Sequence, residues 1–229
     1  MTAEQGSPAM TMDVAKLTIG VLGGTGDQGR GLAHRFAAAG NPVIIGSRSL
    51  ERAKTAAVEL AASGTIRGLA NADAAAEADV VIVAVPWEGH RDLLAALAGP
   101  LTGKIVIDCV NPLGFDKRGA YPLQVHEGSA AEQAAAVLPG SRVVGAFHHV
   151  SAFVLLDPGV ATVDLDVMVL GDDREATDLV QALAARIPGV RGIYAGRLRN
   201  CGQVEALTAN LVSVNRRYKA HAGLRITDV

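Results

Sequence analysis

The sequence predicts an α/β fold: a doubly wound, mostly parallel sheet with a small helical C-terminal part. Three observations carry this. Short β-branched runs alternate with alanine-rich helical patterns along most of the 229 residues, as βαβ units require. Val80–Val85 and several other runs are continuously apolar, as strands covered on both faces are. The first run also passes directly into a glycine-rich turn that opens a helical pattern, the arrangement of a Rossmann-type domain.

Taken in order, residues 1–14 are small and polar, with Gly6, Ser7 and Pro8, and read as a loose leader. The sheet domain spans 15–197. Its expected strands are Leu17–Leu22, Pro42–Gly46, a weak Thr65–Leu69, Val80–Val85, Lys104–Asp108, Arg142–Phe147, Asp164–Leu170 and Gly192–Ala195. Helices are expected between them near 28–39, 49–63, 71–77, 88–98, 129–137 and 174–187. From Asn200 to about Ala222 there is no strand signal, and no Gly or Pro falls between Gln203 and His221. Leu207, Leu211 and Val214 give this stretch one apolar stripe. It reads as a terminal helix, within a segment 198–229, docked on the sheet domain.

The composition is 49% hydrophobic, 19% charged and 3% aromatic, which excludes a disordered chain, a collagen and a coiled-coil rod. A chain of this length buries roughly 70–75% of its unfolded surface and needs no metal or disulfide to form a core. Mean hydropathy is +0.26, yet no apolar run approaches the ~18–20 residues of a spanning helix. The N-terminus lacks the basic start and apolar stretch of a signal peptide. Two cysteines, Cys109 and Cys201, are too few for a disulfide framework and fit a reducing, cytoplasmic setting. A net charge of −2 gives no reason to expect nucleic acid. The charge is uneven: Arg197, Arg199, Arg216, Arg217, Lys219 and Arg225 stand near the C-terminus against Glu205 and Asp228. That is either a solvated face or a site for an anionic ligand.

Gly24, Gly26 and Gly29 form G-x-G-x-x-G after the first strand. In that setting Gly24 permits the tight turn, Gly26 lets the backbone approach a pyrophosphate, and Gly29 lets the helix pack close. Free N–H groups and the helix dipole then face the anion. An NAD site usually places Asp or Glu at the end of the second strand, about 20 residues on, for the ribose 2′-OH. Here Gly46-Ser47-Arg48-Ser49 stands there, with Arg52 one helical turn beyond Arg48. A hydroxyl and two guanidiniums suit a 2′-phosphate that a carboxylate would repel, so the expected cofactor is NADP. Ser49 can cap the following helix at the same time.

In doubly wound sheets ligands sit outside the carboxyl ends of the strands. Val85-Pro86-Trp87, Asp108-Cys109-Val110-Asn111-Pro112 and His148-His149-Val150-Ser151 fall there. Trp87, the only tryptophan, either covers a planar ring or packs the rim. His148 and His149 are adjacent and point apart, so one can bound a pocket while the other packs. No cluster has metal-ligand spacing, and no metal is expected. Cys109 reads as a small buried hydrophobe. There is no Tyr-x-x-x-Lys, no Gly-x-Ser-x-Gly and no P-loop. A marked NADP site without an evident acid or base points to hydride transfer between two redox rings that the protein aligns.

From about Leu17 to the C-terminus the sequence resembles the coenzyme F420-dependent NADP oxidoreductases. The matching pieces are Leu22-Gly23-Gly24-Thr25-Gly26, Gly46-Ser47-Arg48, Val85-Pro86-Trp87-Glu88, the His148 segment, Gly171-Asp172-Asp173, Ala195-Gly196 and Glu205-Ala206-Leu207-Thr208. The resemblance implies hydride transfer between reduced F420, an 8-hydroxy-5-deazaflavin, and NADP. It implies that Thr25, Gly26, Asp27 and Gln28 meet the pyrophosphate, and that Ser47, Arg48 and Arg52 hold the 2′-phosphate. Val85, Pro86, Trp87, Asn111, His148, Val150 and Ala152 would line the ring site. Thr208 and the segment around Gly223 would close it from the C-terminal helix, with His148 and Thr208 positioning rather than transferring protons. It also implies a homodimer, and gives the basic tail a target in the anionic tail of the deazaflavin. Ala206 departs from the family pattern, which has a hydroxyl residue there. Two other readings stand beside it: an NADPH-dependent reductase of a small imine or carbonyl, although the segment after Ala195 is short for that, and a non-enzymatic NADP sensor.

Overall fold

The computed structural model describes residues 13–229, so all but the last two residues of the expected leader lie outside the described residues. The main sheet has eight strands, β1 (Ile19–Leu22), β2 (Val43–Ser47), β3 (Ile66–Ala70), β4 (Val80–Val83), β5 (Ile105–Asp108), β8 (Arg142–Gly145), β9 (Leu165–Gly171) and β10 (Val190–Gly196). Their order across the sheet is β10-β9-β8-β5-β4-β1-β2-β3. The six from β3 to β8 are parallel neighbours, with Ile19 in register with both Val43 and Val80. β9 runs antiparallel to β8, and β10 parallel to β9. The chain builds outward from β1 to β3, then returns to place β4 on the other side of β1. This reversal leaves a crevice at the carboxyl ends of β1 and β4, where doubly wound folds bind their ligands.

Alternation along the strands divides the core between two faces. Ile19, Val21, Ile45 and Ile82 face α1 (Asp27–Ala38), which contributes Leu32 and Phe36, and α8 (Arg174–Ala184), which contributes Val180 and Leu183. Leu22, Ile44, Val81 and Val83 face the other way, toward Ala74 of α3 (Asn71–Glu77), Leu94 of α4 (His90–Ala96), Ala130 of α6 (Ala130–Val137) and Cys201 of α9 (Cys201–Tyr218). The helix starts follow capping chemistry. Ser49 accepts from the Arg52 N–H to begin α2 (Leu50–Glu59), Ser129 from Glu132 for α6, and Asp173 from Ala176 for α8.

All eight expected strands form, and the differences are local. The helix expected over 49–63 ends at Glu59 and becomes a 3₁₀ turn over Ala61–Ser63. The one expected from 88 begins as a 3₁₀ turn, Trp87–Gly89, before α4. The terminal helix stops at Tyr218, where Lys219 turns left-handed with φ 52°. Three elements are additional: α5 (Ala98–Leu101), the hairpin β6 (Leu113–Asp116)–β7 (Gly119–Pro122), and α7 (Ala152–Leu156). α7 docks on α1 through Leu155, which stands against Gly31. Buried Arg35 of α1 fixes it further, donating to the carbonyls of Val154, Leu155, Asp157 and Val160.

Candidate functional site

The glycine turn at the end of β1 is built tightly on itself. Gly23 has φ +72°, and a Cβ on Gly24 would lie 2.8 Å from the Val21 carbonyl oxygen. A Cβ on Gly29 would lie 2.7 Å from the Gly24 Cα, so α1 meets the turn at backbone contact. Gly26 differs: the nearest atom to a Cβ there is 3.6 Å away. No described protein group needs Gly26 to be bare, whereas the close approach of a ligand to the backbone would. Gly26 is also the N-cap of α1 and supplies no side-chain cap, so the first-turn N–H groups keep their capacity for an anion.

A cavity of about 510 Å³ opens in front of this turn, lined by Thr25 and Gly26 from the loop, Ser47, Arg48, Ser49 and Arg52 beyond β2, and Val85 and Pro86 beyond β4. Arg48 and Arg52 are exposed and form no ion pair with a described residue, whereas Arg30 nearby pairs with Glu59 at 2.8 Å. The Ser47 hydroxyl accepts from the Ser49 N–H at 3.2 Å and is held at the cavity wall. Gln28 directs its amide to the Phe147 carbonyl at 3.3 Å, leaving its backbone N–H for an anion. Thr25 and Gly26 of the expected pyrophosphate residues therefore share one cavity with Ser47, Arg48 and Arg52, while Asp27 and Gln28 do not line it. Asn71, which sequence reasoning missed, joins them: it lines the cavity, is 8% exposed, and its Oδ1 has no partner among the described residues. Its place one residue after β3 was the available signal.

Of the expected ring-site residues, Val85 and Pro86 line this cavity and the others do not. Phe147 takes a left-handed φ of 64° and turns both histidines inward; each is 3% exposed. Burial depresses both imidazoles to about 4, so they are neutral near pH 7. Neither nitrogen of His148 has a hydrogen-bond partner among the described residues; its carbonyl accepts from the Asn111 amide at 2.7 Å and the Thr208 hydroxyl at 3.1 Å. His149 accepts from the Met168 N–H at 3.3 Å. Val150 is buried and Ala152 opens α7. Gly223 backs onto Leu165, where a Cβ would meet the Leu165 Cβ at 2.8 Å. Because β9 is antiparallel, Leu165 lies toward the carboxyl ends of the parallel strands. Buried Asp166 anchors the tail there, accepting from Arg191, Arg225 and the Ile226 N–H, and the Arg191 bonds hold its carboxyl below the usual range. Two of the six tail cations are thus engaged: Arg225 with Asp164 and Asp166, and Arg197 with Asp172. Both cysteines are free and buried, and burial pushes their thiols up.

A glycine turn with an uncapped helix start, at the switch point of a parallel sheet and beside two guanidiniums unpaired among the described residues, defines a Rossmann-type oxidoreductase that takes a phosphorylated dinucleotide. The comparisons with known proteins narrow the class. The model of the family described as NADP oxidoreductase coenzyme F420-dependent matches residues 18–112. A curated F420-dependent NADP reductase of Methanothermobacter thermautotrophicus is 42% identical over 94% of this chain and 97% of its own. That of Methanocaldococcus jannaschii is 41% identical over 93% and 99%. A solved structure from Arthrobacter sp. FB24, assigned as an F420 dependent NADP-reductase, superposes with a TM-score of 0.76 at 28% identity, covering 92% of this chain and 99% of that one. The chain belongs to the F420-dependent NADP oxidoreductase family, and is an NADP-dependent oxidoreductase of the F420–NADP type.

Proposed function

We propose that the protein passes hydride directly between reduced coenzyme F420 and NADP, with no side chain acting as an essential acid or base. When bound, the two cofactors supply the redox chemistry, a hydride moved between the nicotinamide and the deazaflavin rings. The chain's residues bind and align. The N–H groups from Thr25 to Gln28 take the pyrophosphate, and Ser47, Arg48 and Arg52 take the 2′-phosphate. Val85, Pro86, Trp87, Asn111, Val150 and Ala152 bound the ring site; His148, joined to Asn111 and Thr208 through its carbonyl, fixes that wall; Gly223 closes it.

The observation that carries this mechanism is the state of the strand ends. The two histidines placed there are buried and held neutral, so neither offers an imidazolium to a carbonyl or imine substrate. Direct transfer needs both rings in the cleft with reacting carbons roughly 3–3.5 Å apart. We further propose a homodimer working in the cytoplasm; free, buried Cys109 and Cys201 fit a reducing compartment. Arg199, Arg216, Arg217 and Lys219, which make no ion pair with a described residue, would attract the anionic deazaflavin tail.

The test follows F420 absorbance with purified protein and NADPH deuterated on one nicotinamide face. Deuterium is expected on the deazaflavin without loss to water. Label washing out into solvent, or saturating NADPH with no F420 reduction, would sink the proposal and promote the imine-reductase or sensor reading.

A further inference from the structure

The mechanism above leaves unused a fully buried polar pair at the ends of the central strands. His90, at the start of α4, and Asp108, at the end of β5, are both 0% exposed. His90 Nε2 and Asp108 Oδ2 lie 2.6 Å apart. The other ring nitrogen, Nδ1, lies 3.0 Å from Gln133 Oε1 on α6. The Gln133 amide nitrogen donates to Glu127 at 3.2 Å, and Glu127 in turn accepts from Arg91 at 2.6 Å. This chain fixes the protons. A carboxylate can only accept, so Gln133 must direct its NH₂ to Glu127 and its carbonyl oxygen to His90, and Nδ1 therefore carries a hydrogen. One further proton lies between Nε2 and Asp108. Burial opposes a charged ring, but Asp108 and the two hydrogen bonds outweigh it and raise the His90 pKa.

The pair also reaches outward in two directions. The indole of Trp87 lies against the His90 ring, centroids 5.6 Å apart and planes tilted 31°. The second Asp108 oxygen accepts from the Val110 N–H at 2.9 Å, fixing the turn that carries Asn111 to the His148 carbonyl. The buried pair thus connects the segments that follow β4, β5 and β8. Being sealed from solvent, it cannot touch a cofactor.

We propose that His90 is a positioning residue for hydride transfer, one that fixes Trp87 on one side and the Val110–Asn111 turn on the other so that the ring-site wall is preformed. This rests on the F420–NADP reading of the site. Loss of the network displaces groups that align two rings, and displacements near 1 Å can cost about 100-fold in rate. The glycine turn and Ser47, Arg48 and Arg52 belong to other elements, while Glu88, Gly89 and Leu93 beside His90 line the opposite wall of the same cavity. Hydride transfer is therefore expected to fall further than NADPH binding.

The test measures NADPH affinity, single-turnover hydride transfer to F420 with both cofactors saturating, and the near-ultraviolet dichroism of Trp87, the only tryptophan. His90→Leu is expected to slow transfer at least 10-fold, to leave the NADPH Kd within about twofold, and to weaken the Trp87 band. Asp108→Asn is the conservative rescue: its carbonyl accepts from Val110, its amide donates to a neutral His90, and the rate should stay within about threefold of wild type. Should His90→Leu fail to fold, Gln133→Met, which removes the Nδ1 partner together with the amide bond to Glu127 but keeps the His90–Asp108 pair, is expected to slow transfer by a smaller factor with the Kd unchanged. Unchanged transfer and an unchanged Trp87 band in the folded variant overturn the proposal, as does parallel loss of NADPH binding and rate. A wild-type protein that reduces no F420 overturns the function instead; the Trp87 band and the NADPH Kd then still decide the role of His90.

Discussion

Replacing Arg48 by alanine tests the cofactor assignment at its most specific point. Arg48 and Arg52 flank the cavity beyond β2, and no carboxylate of a described residue neutralises them. A hydrogen bond to a charged partner contributes about 1.5–3 kcal/mol. Both guanidiniums are exposed, so solvent screening places each toward the lower end, about 1.5 kcal/mol. Arg48→Ala should therefore weaken NADPH roughly 10-fold, since 1.4 kcal/mol is a factor of ten. NADH, with a hydroxyl in place of the phosphate, should change less than about twofold. Adding Arg52→Ala should not simply multiply the loss, because the two side chains share one phosphate and couple. The assay is cofactor titration of each variant with NADPH and NADH at low and high salt. The wild-type preference for NADPH should shrink as salt rises, and the variant should lose most of that salt dependence. Equal weakening of NADPH and NADH would refute the assignment, because damage to the shared pyrophosphate cradle would then explain the loss.

Three more outcomes follow from the geometry. Gly26→Val adds a side chain where no protein atom lies within 3.6 Å of the new Cβ. The melting temperature should stay within a few degrees while NADPH affinity falls at least 10-fold by calorimetry. His148→Asn and His149→Asn should slow steady-state turnover by misplacing the wall; a loss of about 10⁴-fold with both cofactors still bound would reveal proton transfer instead. Glu205 accepts from the Ala130 and Ala131 N–H groups, but burial raises its pKa from 4.5 to about 7. The folded state then holds a proton that the unfolded state releases. Its contribution to stability is greatest below about pH 4.5 and declines until about pH 7, by roughly 2–3 kcal/mol. Urea unfolding of wild type minus Glu205→Gln should show that decline, and a flat difference from pH 4 to 8 would contradict it.

What the sequence disclosed divides along the range of the interactions involved. The eight strands and the glycine turn were legible because they depend on near neighbours: β-branched runs, capping residues, and glycines whose missing Cβ atoms prevent contacts within the turn itself. Ser47, Arg48 and Arg52 were legible because the end of β2 has a fixed place in every sheet of this topology. The hairpin β6–β7 was missed because its strands, with Phe115 and Tyr121 exposed, lack the apolar run that marks a covered strand. α7 was missed because its five residues are too short for a helical period and are fixed from outside by Arg35. The ring site illustrates the limit most sharply. The sequence expects one of the adjacent His148 and His149 to bound a pocket while the other packs, yet both rings are buried after the left-handed Phe147. His90, Asp108 and Gln133 are spread over residues 90 to 133 and meet only because β4 and β5 are neighbours with α4 and α6 against the same face. A strand end can be located from local pattern, but which side chain faces the crevice depends on one backbone angle, and which buried group supports the wall depends on sheet order.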